Sequence, residues 1–274
     1  MGDVLFKQGK YKPALEQFTE ALECETAGEG IDHPEIIAST TLKIGDVYKA
    51  QKKFKEAMVE YEKANEILKK RGGDVSAEVA DANQRIAAVY KVQKKYRDAL
   101  VGYELSLDIR RKVFGEEHID TVETVEIIGD VYERQGKYPE ALTQYQQVVE
   151  IRRKILEQYD PLIAVGLQNV GRMLEVQKQY DDAMKCFLEA VKVSQWAFGA
   201  DHENVAVAIQ LVGGVHEKRP GEISKALLQF KRALKILKRS VPKDHPEMAV
   251  VNKRITDCTK SLKQAIMKNI QKAK

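Results

Sequence analysis

The chain has 274 residues, 43% of them hydrophobic and 31% charged, and a formal net charge of +4 from 45 basic and 41 acidic side chains. That composition excludes a disordered or membrane-embedded chain and is sufficient for a large apolar core. The charges interleave along the sequence, the pattern of solvated helix faces, which excludes the concentrated basic footprint of a nucleic-acid binder.

Seventeen glycines and seven prolines are few for an all-β chain with its many turns, and the abundance of Ala, Leu, Glu, Lys and Gln predicts an all-α fold. Cys24, Cys186 and Cys258 stand far apart with no metal-ligand spacing, which points to a reducing compartment and a cytoplasmic location. No run approaches about 20 consecutive apolar residues, so no membrane span is expected, and MGDVLFKQGK holds no apolar stretch of signal-peptide length.

The first predicted element is a partial unit over 1–24, carrying Gly2, Tyr11, Ala14, Phe18 and Ala21. Met1 falls where the first helix of a unit should be half complete, so the reading favours a chain truncated at this end. Five whole units follow over 33–72, 76–115, 118–157, 160–199 and 202–241. A small residue marks each, at Gly45, Ala87, Gly129, Gly171 and Gly213, with a constant step of 42 residues. Rings keep the same step at Phe54, Tyr96, Tyr138 and Tyr180, as do Ala57, Ala99, Ala141 and Ala183, and the rings Tyr61, Tyr103, Tyr145 and Phe187. The last unit has one inserted residue in KRPGEIS, which moves its alanine to Ala226 and its ring to Phe230.

Within a unit, apolar and small residues recur every three to four positions, the face of an α-helix. Short polar turns such as AQKKF or RQGKY split each unit into two helices. His33-Pro34, Asp160-Pro161 and His245-Pro246, with Ser76, His118 and His202 in the equivalent place, punctuate the unit starts as capped helix N-termini. Small residues allow the two helices of a hairpin to approach closely, and the rings are expected to fill the wedge toward the next hairpin. A single hairpin cannot bury both faces, so hairpins must stack into an α-solenoid. Ile255, Cys258, Leu262, Ile266 and Ile270 form a helical stripe, and 245–272 is read as a capping helix over the last hairpin.

The string GDVYERQGKYPEALTQYQQVVEI, with its small residue, Tyr, Gly-Lys-Tyr turn, Ala and ring, resembles the tetratricopeptide repeat, whose usual period is about 34 residues. The 42-residue period, the His-Pro opening and the IRRKVFG close resemble the longer repeats of kinesin light chains and nephrocystin-like proteins. The resemblance implies a right-handed superhelix of antiparallel helix-turn-helix repeats, with first helices lining a concave groove that binds peptides.

By register from the marks, that groove would carry Lys43, Lys49, Arg85 and Lys91, then Glu126, Asp130 and Glu133, then Gln168, Asn169, Arg172 and Glu175. It would run from basic to acidic and orient an extended peptide of complementary charge. Kinesin light chains hold peptide backbone with an LNNLA segment. Only GLQNVG comes near it, matching at Leu167 and Asn169. Arg85 and Asn169 are in register with two members of the chaperone-tail carboxylate clamp but stand in different units, so a co-chaperone role is not expected.

No catalytic signature is present: there is no phosphate loop, HExxH, CxxC or nucleophile elbow. His216 reads as a partly packed core residue, Cys186 as buried filler and Trp196 as packing. No cofactor or metal is expected. The predicted function is a non-enzymatic adaptor or scaffold for protein or peptide partners, in a kinesin-light-chain-like cargo or complex-assembly role. The alternatives are a structural spacer or self-assembling subunit, associating through the open N-terminal end, and the regulatory arm of an enzyme whose catalytic domain lies elsewhere.

Overall fold

The structure, a computed structural model, describes residues 1–27 and 33–272. It divides into two compact units, Met1–Gly136 and Lys137–Lys274. The first contains α1 (Gly2–Lys7), α2 (Tyr11–Ala27), α3 (Pro34–Ala50), α4 (Phe54–Gly72), α5 (Ala77–Val92), α6 (Tyr96–Phe114) and α7 (Ile119–Arg134). The second contains α8 (Tyr138–Ile155), α9 (Pro161–Val176), α10 (Tyr180–Phe198), α11 (Glu203–Lys218), α12 (Ile223–Ser240) and α13 (Pro246–Lys272). No strand occurs among the described residues. The hairpin expected over 118–157 contributes α7 to the first unit and α8 to the second.

Each helix pair is closed by the same turn. After α3, the Gln51 N–H reaches the Val47 carbonyl and the Lys53 N–H reaches the Tyr48 carbonyl, with Lys52 between them at φ 62°. This is a Schellman ending, which needs one residue in the left-handed region. Lys94 and Lys178 repeat it at φ 61° and 62°, whereas Gly9 and Gly136 fill the place at no steric cost. Replacing Lys52, Lys94 or Lys178 by glycine is therefore expected to raise stability by about 0.5–1 kcal/mol each. Thermal melts of the three single variants check this, and a lowered melting temperature would contradict it.

The inserted residue of KRPGEIS changes this turn in the last hairpin. Arg219 ends α11 in extended conformation, Gly221 takes φ 80°, and Glu222 caps α12. His216 Nδ1 lies 2.8 Å from Glu222 Oε2, and Lys225 donates to Glu222 Oε1 at 2.8 Å. His216, expected as a core residue, is thus the tie of the lengthened turn. Its hydrogen bond and that of Lys225, the larger influence, hold the Glu222 carboxyl down at about 2. Because the folded value lies below the ordinary 4.5, the turn's stabilisation is complete above pH 4.5 and is lost as pH falls toward 2. An NMR titration of Glu222 should show that low midpoint, and a midpoint near 4.5 would refute the tie.

Unit starts are capped as their sequences suggest, with one exception. Ser76, His118, Asp160 and His202 accept hydrogen bonds from the N–H groups of Val79, Asp120, Leu162 and Asn204. His33 makes no side-chain cap bond, and Pro34 at the first helical position starts α3 instead. The rings of His118 and His202 also stack on Phe114 and Phe198, at centroid distances of 4.4 and 4.5 Å. The phenylalanine closing one repeat and the histidine opening the next therefore pack across the inter-repeat turn.

The ring columns do not fill the wedge between hairpins as expected. They lie on the small residue of their own hairpin: a Cβ added to Gly2, Gly45, Gly171 or Gly213 would come 2.4–2.7 Å from a ring carbon of Phe18, Tyr61, Phe187 or Phe230. The physical reason is reach: a ring on the second helix can pass directly over a first helix that presents no side chain there. Ala57, Ala99, Ala141, Ala183 and Ala226 are fully buried, so the alanine column lets the paired helices meet closely.

At the end of the second unit, Val251 and Cys258 of α13 are buried against α12, with Ile255 and Leu262 partly covered. The expected lid stripe departs from its role beyond Leu262, because α13 continues with Ile266 51% and Met267 64% exposed. Ile270 lies outside the described side chains. Trp196, expected to be packed, is 67% exposed at the end of α10 and stacks on Tyr159 at 5.2 Å.

Candidate partner-binding face

In the first unit the expected basic groove residues are partly exposed on α3 and α5, but each holds an aspartate. Lys43 Nζ is 2.9 Å from Asp3 of α1, and Arg85 Nη1 is 2.7 Å from Asp46 of α3. Lys91 Nζ is 3.3 Å from Asp130 of α7, whose carboxylate also pairs with Arg134 at 2.8 Å. Lys49 Nζ is 3.2 Å from Asp46 on its own helix. The Asp46 carboxylate further accepts the Tyr61 hydroxyl at 2.6 Å. Burial, then the adjacent Asp46 charge, pushes the Tyr61 phenol far above its ordinary value, and burial with Asp130 does the same to Tyr103.

These pairs follow a rule of register. The aspartates at Asp3, Asp46 and Asp130 sit immediately after the marks, and Lys43 and Arg85 sit two before the next ones, so the pairs span 39 or 40 residues. The ammonium groups also lie over the buried rings: Lys43 over Phe18 at 5.7 Å, Lys49 over Tyr61 and Lys91 over Tyr103 at 5.8 Å. The basic stretch of the face is thus neutralised by the preceding or following repeat. Glu126, Asp130 and Glu133 are half-buried on α7.

The second unit uses the register differently. Gln168 and Asn169 are half-buried on α9, and Arg172 is exposed. Lys218 Nζ lies 3.1 Å from Glu175, and Arg254 Nη1 lies 3.0 Å from Glu217. Arg254 covers the Phe230 ring at 5.4 Å, as Lys43 covers Phe18. The structure therefore groups Lys43, Lys49, Arg85, Lys91 and Asp130 in one network and ties Glu175 into another. Sequence reasoning missed Asp3, Asp46, Glu217 and Arg254. Their signal was an acid and a base recurring about 39 residues apart, which a helical wheel drawn within one repeat does not display.

Two buried arginines were also missed. Arg110, on α6, bonds Asp81 at 2.5 Å and Gln84 at 2.6 Å on α5, and Thr124 at 2.5 Å and the Asp120 carbonyl at 3.2 Å on α7. Arg152, 42 residues on, is 1% exposed and donates to the Leu162 carbonyl at 3.1 Å. Each guanidinium ties a second helix to the first turn of the next repeat.

Cys186 is half-buried beside the Arg153–Glu189 pair, in a cleft of about 540 Å³. Burial pushes the Cys186 and Cys258 thiols up, away from the thiolate a nucleophile needs. No group of three or more His, Cys, Asp or Glu side chains able to hold a metal occurs among the described residues. No described helix is long and apolar enough to cross a membrane.

Repeated antiparallel hairpins with ion pairs at the repeat spacing define an α-solenoid. Tetratricopeptide repeat models match residues 78–154 and 162–239, and a further one matches 39–67; the chain belongs to the tetratricopeptide repeat family. Among solved structures it resembles BtubC (BKLC) from P. vanneervenii, at 21% identity and a TM-score of 0.66, over 72% of this chain and 78% of that one. A putative kinesin light chain from Podospora anserina with nearly identical repeats matches at 17% identity and a TM-score of 0.66, over 76% and 98%. The apo form of RapI matches at 19% and 0.70, over 87% of this chain and 62% of that one. These likenesses support the kinesin-light-chain type of fold. No curated protein matches the chain in sequence.

Proposed function

We propose that the chain is a non-enzymatic adaptor that holds segments of partner proteins against the face carried by its first helices, in a cytoplasmic setting. The observation that carries this reading is the recurrence of partly exposed polar side chains on successive first helices: Lys43 and Lys49 on α3, Arg85 and Lys91 on α5, Glu126, Asp130 and Glu133 on α7. Gln168, Asn169 and Arg172 continue the register on α9. Membership of the tetratricopeptide repeat family and the likeness to a putative kinesin light chain favour a cargo-binding or complex-assembly role. The raised thiols disfavour covalent catalysis.

The pairing of the cations with aspartates refines how a ligand would engage. An acidic peptide must compete with Asp3, Asp46 and Asp130 for ammonium and guanidinium groups already satisfied. Affinity for a short segment is accordingly expected in the micromolar range, near about −8 kcal/mol. Capture of partners from lysate with a K43E/R85E/K91E variant tests the reading, with helicity and melting temperature measured in parallel. Loss of a set of partners in that variant supports it. An Asp46→Asn variant, which breaks the same inter-repeat pair but leaves the cations, should retain them. Unchanged capture by the triple variant overturns the electrostatic reading.

A further inference from the structure

We infer that two copies of this chain associate head to tail, the basic end of α13 from one copy docking into the acidic cleft between α2 and α3 of the next. The cleft exists because α1 is six residues long whereas α3, which plays its part in the next repeat, has seventeen. Phe18 still finds its glycine, Gly2. Beyond Phe18, α2 has no first helix beside it. In the following hairpin, Ala64 and Leu68 are buried at 0% and 5% exposure. Their counterparts by register, Ala21 and Glu25, are only half-buried and line an open cleft of about 590 Å³ with Phe18, Ile36 and Ser39. One oxygen of Glu25 accepts from Thr40 at 3.2 Å. The other is enclosed with no hydrogen-bond partner among the described residues.

A helix with apolar residues at three-to-four spacing and cations beside them is the shape and charge this cleft lacks. The exposed end of α13 supplies both. Beyond Cys258, which is buried, Ile266 and Met267 are exposed. Lys260, Lys263 and Met267 line the uncovered face of the helix. The two ends also complement each other in charge: residues 1–42 carry eight acidic side chains against three lysines, and residues 258–274 carry five lysines and no acid. A surface that meets a different surface on its partner gives a heterologous contact, which extends into open chains unless rotation closes a ring.

The test uses the full chain in three forms: wild type, a head variant Ser39→Arg and a tail variant I266E/M267E, all at exposed positions. Sedimentation equilibrium is run at low salt from micromolar to about 100 μM, and again in about 1 M salt, where the Debye length falls to about 3 Å. The wild type is expected to give a concentration-dependent series of species larger than a dimer, dispersed by salt. Each variant alone should be monomeric, while their equimolar mixture should stop at a 1:1 dimer, because one intact head and one intact tail remain. A wild type monomeric at every concentration overturns the proposal, as does association of either variant alone or a monomeric mixture. Binding of the wild type to anionic vesicles without self-association would also overturn it and would assign the basic end to a lipid surface. None of these outcomes depends on whether the first-helix face captures partners.

Discussion

Phe187→Ala is expected to lower the free energy of unfolding by about 3–5 kcal/mol, read as a shifted urea midpoint. Phe187 is fully buried on α10, and a Cβ on Gly171 would stand 2.4 Å from its ring. Truncation leaves a ring-sized void between two helices whose spacing is set by neighbouring alanines, so the walls cannot close on it. The converse change, Gly171→Ala, forces a methyl into the ring and should cost about 1–3 kcal/mol. Combining Gly171→Ala with Phe187→Leu should recover part of that loss, because the smaller side chain can move off the new methyl. A neutral Gly171→Ala would show that the ring and glycine are not in the contact described.

The chain contains its own version of that experiment. In the hairpin of α5 and α6 the mark is Ala87, and here the second helix carries Gly102, whose added Cβ would lie 2.9 Å from the Ala87 methyl. The methyl moved from one helix is accommodated by a glycine on the other. Gly102→Ala should therefore destabilise, and pairing it with Ala87→Gly should restore stability; a melt of the double variant no better than the single would contradict the exchange.

Periodicity made the hairpins readable because the helices repeat every 42 residues and buried columns cannot drift from that step. Ala57 to Ala183 and Tyr61 to Phe187 announce themselves as columns before any packing is known. The charged face was legible only in part. Lys43 and Arg85 could be placed on a first helix, but their binding to Asp3 and Asp46 depends on how one repeat stacks on the next, which no single-helix pattern encodes. Arg110 and Arg152 were read as solvated charges within IRRKV and IRRKI, the ordinary fate of an arginine on an amphipathic helix. Trp196 misled in the other direction, since its size suggested packing while its place at the end of α10 beside Tyr159 leaves it open.

Arg110→Ala is expected to cost roughly 3 kcal/mol and to separate α7 from the rest of the first unit. The side chain is 8% exposed, and its Nη1 and Nη2 reach α5 and α7 at once, so its loss removes both a filled volume and the bonds joining one hairpin to the next. Asp81 is half exposed and can rehydrate when its partner goes, and Thr124 keeps its own bond to the Asp120 carbonyl at 2.8 Å. The loss is therefore mostly packing and inter-repeat hydrogen bonding, not a stranded buried charge. Two further substitutions separate these contributions. Arg110→Met restores volume without the bonds and should recover about 1–2 kcal/mol, whereas Arg110→Lys keeps the charge but cannot span Asp81, Gln84 and Thr124 with one ammonium. Because stacked repeats draw stability from their neighbours, Arg110→Ala should also lower the urea m-value as α7 unfolds separately. An unchanged midpoint and slope would mean that Arg110 is a passenger in the interface, and the repeats would then be held together by their apolar columns alone.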